Sequence, residues 1–180
     1  FFASNGIEAL RTSLNRAYRQ IEVRSIVMLR AQSFLFVVLA TIVLVVTSLL
    51  LVAVPVAVRY VAVHFPAIWE VYNNLDALRL GVAAVVLLTG LVSAHLWLPS
   101  GTRRLGDVLP GVALTFLSWI AGSLAFTAYL NNFANYATTY AGMASIVIAL
   151  VFLYMVAAIF IIGAELNAAI MLYRQARAQV

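Results

Sequence analysis

The sequence contains no cysteine and no lysine, and charged residues of any kind are scarce. Without cysteine, neither a disulfide framework nor a thiolate metal site can form. Only 9% of the 180 residues are charged, whereas about a quarter are charged in a typical soluble domain. Hydrophobic residues make up 65% of the chain. This composition excludes an ordinary soluble domain and indicates that lipid surrounds most of the chain.

The positive charge of the chain is carried by arginine alone. The formal net charge is +5, and all eleven basic residues are arginines. A basic chain can bind nucleic acid, but most of these arginines flank long apolar runs, as the positive-inside rule predicts for membrane proteins. No compact basic face remains after topology is taken into account. We therefore expect membrane lipid as a partner and do not expect nucleic acid.

Four long apolar runs predict membrane-spanning helices, near residues 31–58, 80–98, 108–129 and 143–172. Each run is long enough to cross a bilayer at about 1.5 Å per residue. Although valine and isoleucine are frequent, a lone strand would leave its backbone unpaired in lipid, so helices are predicted. We expect Pro55 to kink the first helix and Pro110 to lie in the first turn of the third. Gly90 and Ala94, four residues apart, permit close helix packing in the second.

An amphipathic helix is predicted over residues 5–22, where apolar residues recur at helical spacing. Asn5, followed three residues later by Glu8, resembles a capping box. The segment is too polar to span a membrane. It either lies in the interface or forms the cytoplasmic end of an earlier span. The predicted fold is thus all-α: residues 1–24 form this unit, and residues 25–180 form a polytopic four-span transmembrane bundle.

The arginine distribution predicts the orientation of these spans. With four spans, nine of the eleven arginines lie on one side of the membrane, and only Arg59 and Arg79 lie on the other. The arginine-rich side is normally cytoplasmic. Both termini of the chain are therefore expected in the cytoplasm.

Two polar residues interrupt the last apolar run, and they form the core of the candidate site. Glu165 and Asn167 lie inside the predicted span, where an ionisable side chain is expensive and is a functional candidate by default. Thr115 and Ser118, on a small and polar face of the third span, could add oxygen ligands or simply pack against another helix. A carboxylate at this depth needs a partner, water or a proton. It either forms a buried ion pair that fixes the bundle or serves an ion- or proton-linked site. The candidate charge partners are arginines of the cytoplasmic helix ends: Arg16, Arg19, Arg24, Arg30, Arg103 and Arg104.

An ordered set of short motifs resembles one known family. The motifs are Leu10-Arg11, Leu14-Asn15-Arg16-Ala17-Tyr18, Leu109-Pro110-Gly111, Trp119, Ser123, Phe126, Tyr129, Phe133, Asn135-Tyr136, Tyr140 and Gly163-Ala164-Glu165-Leu166-Asn167. Together they resemble the YihY/BrkB family of bacterial inner-membrane proteins, also known as UPF0761. One departure is Tyr140-Ala141-Gly142, where the family usually has Tyr-Gly-Ser.

The resemblance carries three implications. It implies a multi-pass protein of the bacterial inner (plasma) membrane, with both termini of this chain cytoplasmic. Because the family pattern has six spans, it also implies that about two N-terminal spans lie outside this sequence. Members of the family have been called serum-resistance factors and a ribonuclease.

Two classes of function remain open. The first is a transporter-like protein for a small solute, ion or lipid, which Glu165, Asn167 and the polar face of the third span support. The second is a non-catalytic structural or accessory subunit, packed against other membrane subunits or against itself. We do not expect an enzyme: metal-dependent cleavage of RNA needs clustered His and acidic ligands, and two His and six acids are scattered along the chain. No metal or cofactor is expected. A polar cavity at the membrane midplane would favour transport, and a dry, close-packed contact would favour the subunit.

Overall fold

The computed structural model describes residues 2–65, 72, 75–132 and 141–178. Within these ranges every regular element is a helix, which confirms the predicted all-α class. The elements are α1 (Phe2–Ala17), α2 (Ile26–Ser48), a π-helical turn (Leu49–Ala53), α3 (Val54–Ala62), α4 (Asp76–Trp97), α5 (Leu105–Asn132) and α6 (Ala141–Arg177). The motif residues within 133–140 lie outside the described residues.

Four helical segments are long and apolar enough to cross a membrane, as predicted: Ile26–Ala62, Ala77–Trp97, Leu105–Asn131 and Ser145–Arg177. The first is the most outward-facing, because none of its most apolar 18-residue window is buried. An all-round apolar helix exposed in this way needs lipid around it. Both ends of this segment extend beyond the predicted boundaries, past Arg30 and Arg59, because arginine is a good helix former and its long stem tolerates an interface.

The chain divides into two compact units. Unit 1 contains residues 1–11 and 23–98, and unit 2 contains residues 12–22 and 99–180. The helix α1 therefore contributes its first part to one unit and its last part to the other. The sequence predicts a boundary at residue 24, between the amphipathic helix and the spanning helices. That boundary describes membrane topology and not the contacts within each unit, and it stays a prediction.

Arginines hold the start of unit 1 together. Arg11 is buried, and its guanidinium donates to the carbonyl of Leu29 at 3.0 Å and to the hydroxyl of Ser33 at 3.3 Å. Arg30 pairs with Glu8 at 2.9 Å and donates to the Asn5 side chain at 3.1 Å. The capping box predicted from these two residues is wrong, because α1 begins at Phe2 and both lie inside it.

A π-helical turn precedes Pro55, where a kink was predicted. The turn covers Leu49–Ala53, and the amide of Val54 donates to the carbonyl of Leu49. Proline has no amide hydrogen, and its ring clashes with the carbonyl four residues earlier in a regular α-helix. The extra residue of a π turn relieves this clash. The distortion expected at Pro55 therefore takes the form of a π-helical turn.

Helix α4 contains a glycine with open space beside it and a buried histidine. A Cβ added at Gly90 would find no atom of the described residues within 4 Å, so no close helix contact forms at this glycine among them. The histidine near the end of this helix, His95, is fully buried. Spacing alone shows which residues share a helix face, but not whether another helix covers that face.

Unit 2 is built on the pairing of α5 and α6. Helix α5 begins at Leu105, three residues before the predicted start, so Pro110 lies in its second turn and not in the first. The side chain of Asp107 accepts a hydrogen bond from the Arg104 amide at 3.1 Å, which is one half of a capping box. This cap explains the earlier start.

Candidate functional site

The candidate site lies where α5 and α6 touch backbone to backbone. A Cβ added at Gly163 would lie 2.7 Å from the carbonyl oxygen of Gly111 and closer still to the hydroxyl of Thr115. A Cβ added at Gly111 would collide with the carbonyl of Gly163 and with the side chain of Asn167. Only glycine leaves room for this approach. Small residues at such crossings are the usual means of packing membrane helices.

Asn167 of α6 is fully buried at this crossing and is held by three hydrogen bonds. Its side-chain oxygen accepts from the amide of Gly111 at 2.6 Å. Its side-chain nitrogen donates to the carbonyl of Val108 at 3.0 Å and to the phenol oxygen of Tyr18 at 3.1 Å. The two backbone groups flank Pro110, where the helix loses a hydrogen bond because proline has no amide hydrogen. The Asn167 side chain thus stabilises α5 on both sides of Pro110.

Thr115 lies one turn further along α5, facing Gly163. Its side chain is fully buried, and within the described residues its hydroxyl has no hydrogen-bond partner. An unpaired buried hydroxyl costs about 1–3 kcal/mol. Ser118, the other predicted oxygen ligand on this helix, is half-buried. The structure therefore brings Thr115 and Asn167 to one helix contact, where Gly111 and Gly163 set the spacing.

Two further residues of α5, Trp119 and Gly122, also pack against α6. The indole nitrogen of Trp119 donates to the carbonyl of Val156 at 3.0 Å. A Cβ added at Gly122 would lie 3.3 Å from the sulfur of Met155. Of the two interpretations of this face, helix packing accounts for these contacts.

Tyr18 follows the end of α1 and closes the site from the side of the loop. Burial raises the pKa of its phenol above the ordinary value, and the Asn167 hydrogen bond and the Arg103 guanidinium only partly offset this. The phenol is therefore neutral at physiological pH. The Arg103 guanidinium lies over the Tyr18 ring, 4.1 Å from its centroid, in a cation–π arrangement.

Glu165 does not join this cluster. It is exposed on the outer side of α6, and no described residue forms an ion pair or hydrogen bond with it. The reason is helix geometry, since two residues correspond to about 200° of rotation. When Asn167 points into the α5 contact, Glu165 must point nearly the opposite way. The two residues that the sequence grouped therefore separate to opposite faces.

The arginines expected to pair with Glu165 have other surroundings. Within unit 2, Arg103 lies against Tyr18, Arg16 and Arg19 are exposed, and the Arg104 amide bonds to Asp107. Within unit 1, Arg30 pairs with Glu8, and Arg24 donates to the Gln32 side chain at 2.8 Å and to the Leu98 carbonyl at 3.0 Å.

Sequence reasoning missed Tyr18 as a partner of Asn167 and missed the role of Gly111 and Gly163. Tyr18 is far away in sequence, and nothing in its own segment indicates this contact. The spacing of the two glycines could have indicated the helix contact. Gly111 and Thr115 are four residues apart on α5, and Gly163 and Asn167 are four residues apart on α6. Such spacing places each pair on one helix face.

Long apolar helices and a glycine-lined helix crossing define a multi-pass α-helical membrane protein. The chain belongs to the BrkB family: the family described as "Virulence factor BrkB" matches residues 1–180. It is 31% identical over 167 residues to YfkH of Bacillus subtilis (strain 168), whose name describes it as ribonuclease-like. This alignment covers 92% of the chain and 60% of YfkH. No solved structure matches the chain.

Proposed function

We propose that this chain is the membrane-embedded part of a transporter-like protein for a small solute, ion or lipid. In this proposal it lies in the bacterial inner membrane with both termini in the cytoplasm, as the arginine distribution indicates. The observation that carries the proposal is Glu165, an exposed carboxylate on an apolar helix.

The position of Glu165 sets what it can do. It lies nine residues before Arg174, or about 13 Å along the helix axis, which places it in the inner third of the bilayer. Its near neighbour Ile162 is also exposed. A carboxylate facing hydrocarbon must be hydrated, protonated or covered by another polar group. A water-filled path that exchanges ions or protons satisfies this requirement.

The test is a flux assay of the full-length protein in proteoliposomes. Wild type, Glu165→Gln and a control variant, Asp107→Asn, would be compared with pH-sensitive dye, alkali ions, amino acids and fluorescent phospholipid as probes. Asp107 is a carboxylate of the same unit, and it already pairs with Arg174 at 3.4 Å at the end of the span. We expect Glu165→Gln to stay folded and to lose transport at least about tenfold, since the amide keeps the size but cannot carry charge or a proton. Unchanged transport in folded Glu165→Gln would remove Glu165 from the mechanism.

The alternative is a non-catalytic structural or accessory subunit. The observation that favours it is the close α5–α6 contact, where Gly111 and Gly163 leave no space for a ligand. All three hydrogen bonds of the Asn167 side chain are made to groups of the same chain. In that case Glu165 would be covered by a helix of another subunit or of a second copy. Absence of flux with every probe, together with crosslinking of a partner to a photoreactive residue at position 162, would support this alternative.

We propose further that the chain is not a ribonuclease and needs no cofactor. The support is chemical: cleavage of a phosphodiester with a metal needs several clustered His or acidic ligands. Among the described residues no group of three or more His, Asp or Glu side chains could hold a metal ion. RNA turnover by the purified full-length protein that follows its concentration and survives nuclease controls would contradict this part of the proposal.

A further inference from the structure

A cavity of about 170 Å³ opens in unit 2 beside the last turns of α6. Three segments line it: the turn after α1, the loop before α5 and the end of α6. A water molecule needs about 10–15 Å³ of such space, so the cavity can accept a group much larger than one water. This volume suits a phosphate group with part of what it is attached to.

The polar lining of the cavity is cationic and has no opposing acid within the described part of the chain. Arg19 and Arg103 supply two guanidinium groups, and Gln20, Thr102 and Gln175 supply amide and hydroxyl groups. No acidic side chain is among the described residues that line the cavity. Guanidinium groups match the geometry of phosphate oxygens and form strong, charge-assisted hydrogen bonds with them. The lining therefore favours an anion, and a phosphate group matches both the two guanidinium groups and the volume of the cavity.

The two loops at the cavity are held in fixed positions. The side-chain oxygen of Asn15 accepts from the amide of Ser100 at 2.6 Å, and its backbone carbonyl accepts from the amide of Gln20 at 2.8 Å. Arg103 donates to the carbonyl of Ser100 at 2.6 Å. These bonds connect the turn after α1 with the loop before α5. The donors are thus positioned before any ligand arrives, which lowers the ordering cost of binding.

Two residues in these loops adopt the left-handed backbone conformation. Gly101 has a φ of 85°, and a Cβ there would lie 2.8 Å from the Gln20 side-chain oxygen. Arg19 has a φ of 54°, which is uncommon for a residue with a side chain. Such strain costs about 1–3 kcal/mol and persists where the surroundings enforce it, often at binding sites. Arg19, at this turn, is exposed and lines the cavity.

The other wall of the cavity is apolar and belongs to the membrane-spanning helix α6. Ala168, Met171 and Leu172 form it, and Leu172 is 41% exposed, so this wall continues onto the outer surface of the helix. The lining reaches Gln175, two residues before Arg177 at the arginine-rich end of the span. A ligand that touches arginines on one side and a lipid-exposed helix on the other is an amphiphile with an anionic head.

We infer that this cavity binds the phosphate headgroup of an anionic phospholipid from the leaflet on the arginine-rich side. The phosphate lies between Arg19 and Arg103, and the glycerol and upper acyl chains lie along Met171 and Leu172. Basic pockets beside membrane helices bind anionic headgroups by the same chemistry. The inference does not depend on Glu165, which faces a different surface, and it does not require transport.

Native mass spectrometry of the full-length protein in detergent tests the inference. Retention of phosphatidylglycerol and of phosphatidylcholine would be measured for wild type, for Arg19→Gln/Arg103→Gln, and for the control Arg104→Gln/Arg177→Gln. The control removes the same two charges from the same end of unit 2, but neither residue lines the cavity. A guanidinium that bonds directly to the phosphate contributes about tenfold or more, so the first pair should lower phosphatidylglycerol retention about 100-fold. The control pair leaves these bonds in place and should lower retention far less.

A third variant separates binding from folding. Met171→Trp leaves every charge in place but fills the cavity, and it should also weaken phosphatidylglycerol retention while the melting temperature stays close to that of wild type. Glycerol phosphate and inorganic phosphate, added as competitors, distinguish the source of the anion: the inference expects weak competition from both. Equal retention of both lipids by wild type, equal loss in the control pair, or full displacement by inorganic phosphate would each overturn it.

Discussion

At the scale of the residue, Asn167 and Glu165 show opposite ways in which a polar side chain exists in an apolar helix. Asn167 is buried and satisfied by partners from α5 and from Tyr18. Glu165 is exposed and has no partner among the described residues. The first arrangement stabilises the protein. The second leaves a cost that only water, a proton or another molecule can remove, and it is therefore the better functional candidate.

The first prediction concerns Asn167. Replacing it by alanine removes the partner of the Gly111 amide, the Val108 carbonyl and the Tyr18 phenol in a buried place. Each unsatisfied buried group costs about 1–3 kcal/mol, so we expect Asn167→Ala to lower the free energy of unfolding by at least about 2 kcal/mol. Thermal or SDS unfolding of the purified protein measures this.

The control for this measurement is Asn131→Ala. Asn131 is also an asparagine of unit 2, but it is exposed near the end of α5. Its loss should change stability by less than about 0.5 kcal/mol, as surface substitutions usually do. Equal stability of the two variants would show that the hydrogen bonds of Asn167 make no net contribution to the free energy of unfolding.

At the scale of the element, the long apolar runs predict the four spanning helices, because a helix satisfies its backbone groups within its own segment, as a membrane requires. The helix boundaries were less predictable. Arg104 and Asp107 form a cap that starts α5 earlier than the apolar run does. Asn5 and Glu8 have the spacing of a cap, yet they bond to Arg30 from inside α1. A cap is a local pattern, and a distant partner can reassign its residues.

The candidate site was only partly predictable for a related reason. The sequence indicates that Glu165, Asn167 and Thr115 are out of place in an apolar helix. It does not say which helix covers which face. The two-residue separation of Glu165 and Asn167 does predict opposite faces. Which of the two faces is covered follows only from the contact between Gly111 and Gly163.

The second prediction belongs to this helix contact. Gly163→Ala places a methyl group against the carbonyl of Gly111 and the hydroxyl of Thr115, where the backbone cannot move easily. We expect α5 and α6 to separate and the melting temperature to fall, with a loss of about 2–4 kcal/mol, as in other overpacked or strained sites. Disulfide trapping of paired cysteines on the two helices would report the separation directly.

Gly106→Ala is the matched control for this substitution. It lies in the first turn of α5, and a Cβ there would meet no atom within 4 Å. Because alanine has the higher helix propensity by about 1 kcal/mol, this variant should be neutral or slightly more stable. A Gly163→Ala protein as stable as Gly106→Ala would show that the helix crossing tolerates a side chain.

At the scale of the whole molecule, the distribution of surface residues reflects lipid as a solvent. The first spanning segment exposes large apolar side chains along its length, among them Leu44, Val52 and Val56. In water such a surface would drive aggregation. In a bilayer it is the expected exterior, and only the ends need charge. The positions of the arginines then indicate which end faces the cytoplasm.

The last prediction tests this orientation. The chain has no cysteine, so single cysteines can be introduced without background labelling. His64 follows the first spanning segment, Thr102 lies between the second and third, and Gln175 lies near the end of the fourth. All three side chains are exposed. With four spans and cytoplasmic termini, a membrane-impermeant maleimide added to intact cells should label His64→Cys. Thr102→Cys and Gln175→Cys should react only after the membrane is opened.

Labelling of His64→Cys and Thr102→Cys from the same side would contradict the second span. The reverse pattern for all three would retain four spans but invert the orientation, which would mean that the nine arginines do not face the cytoplasm.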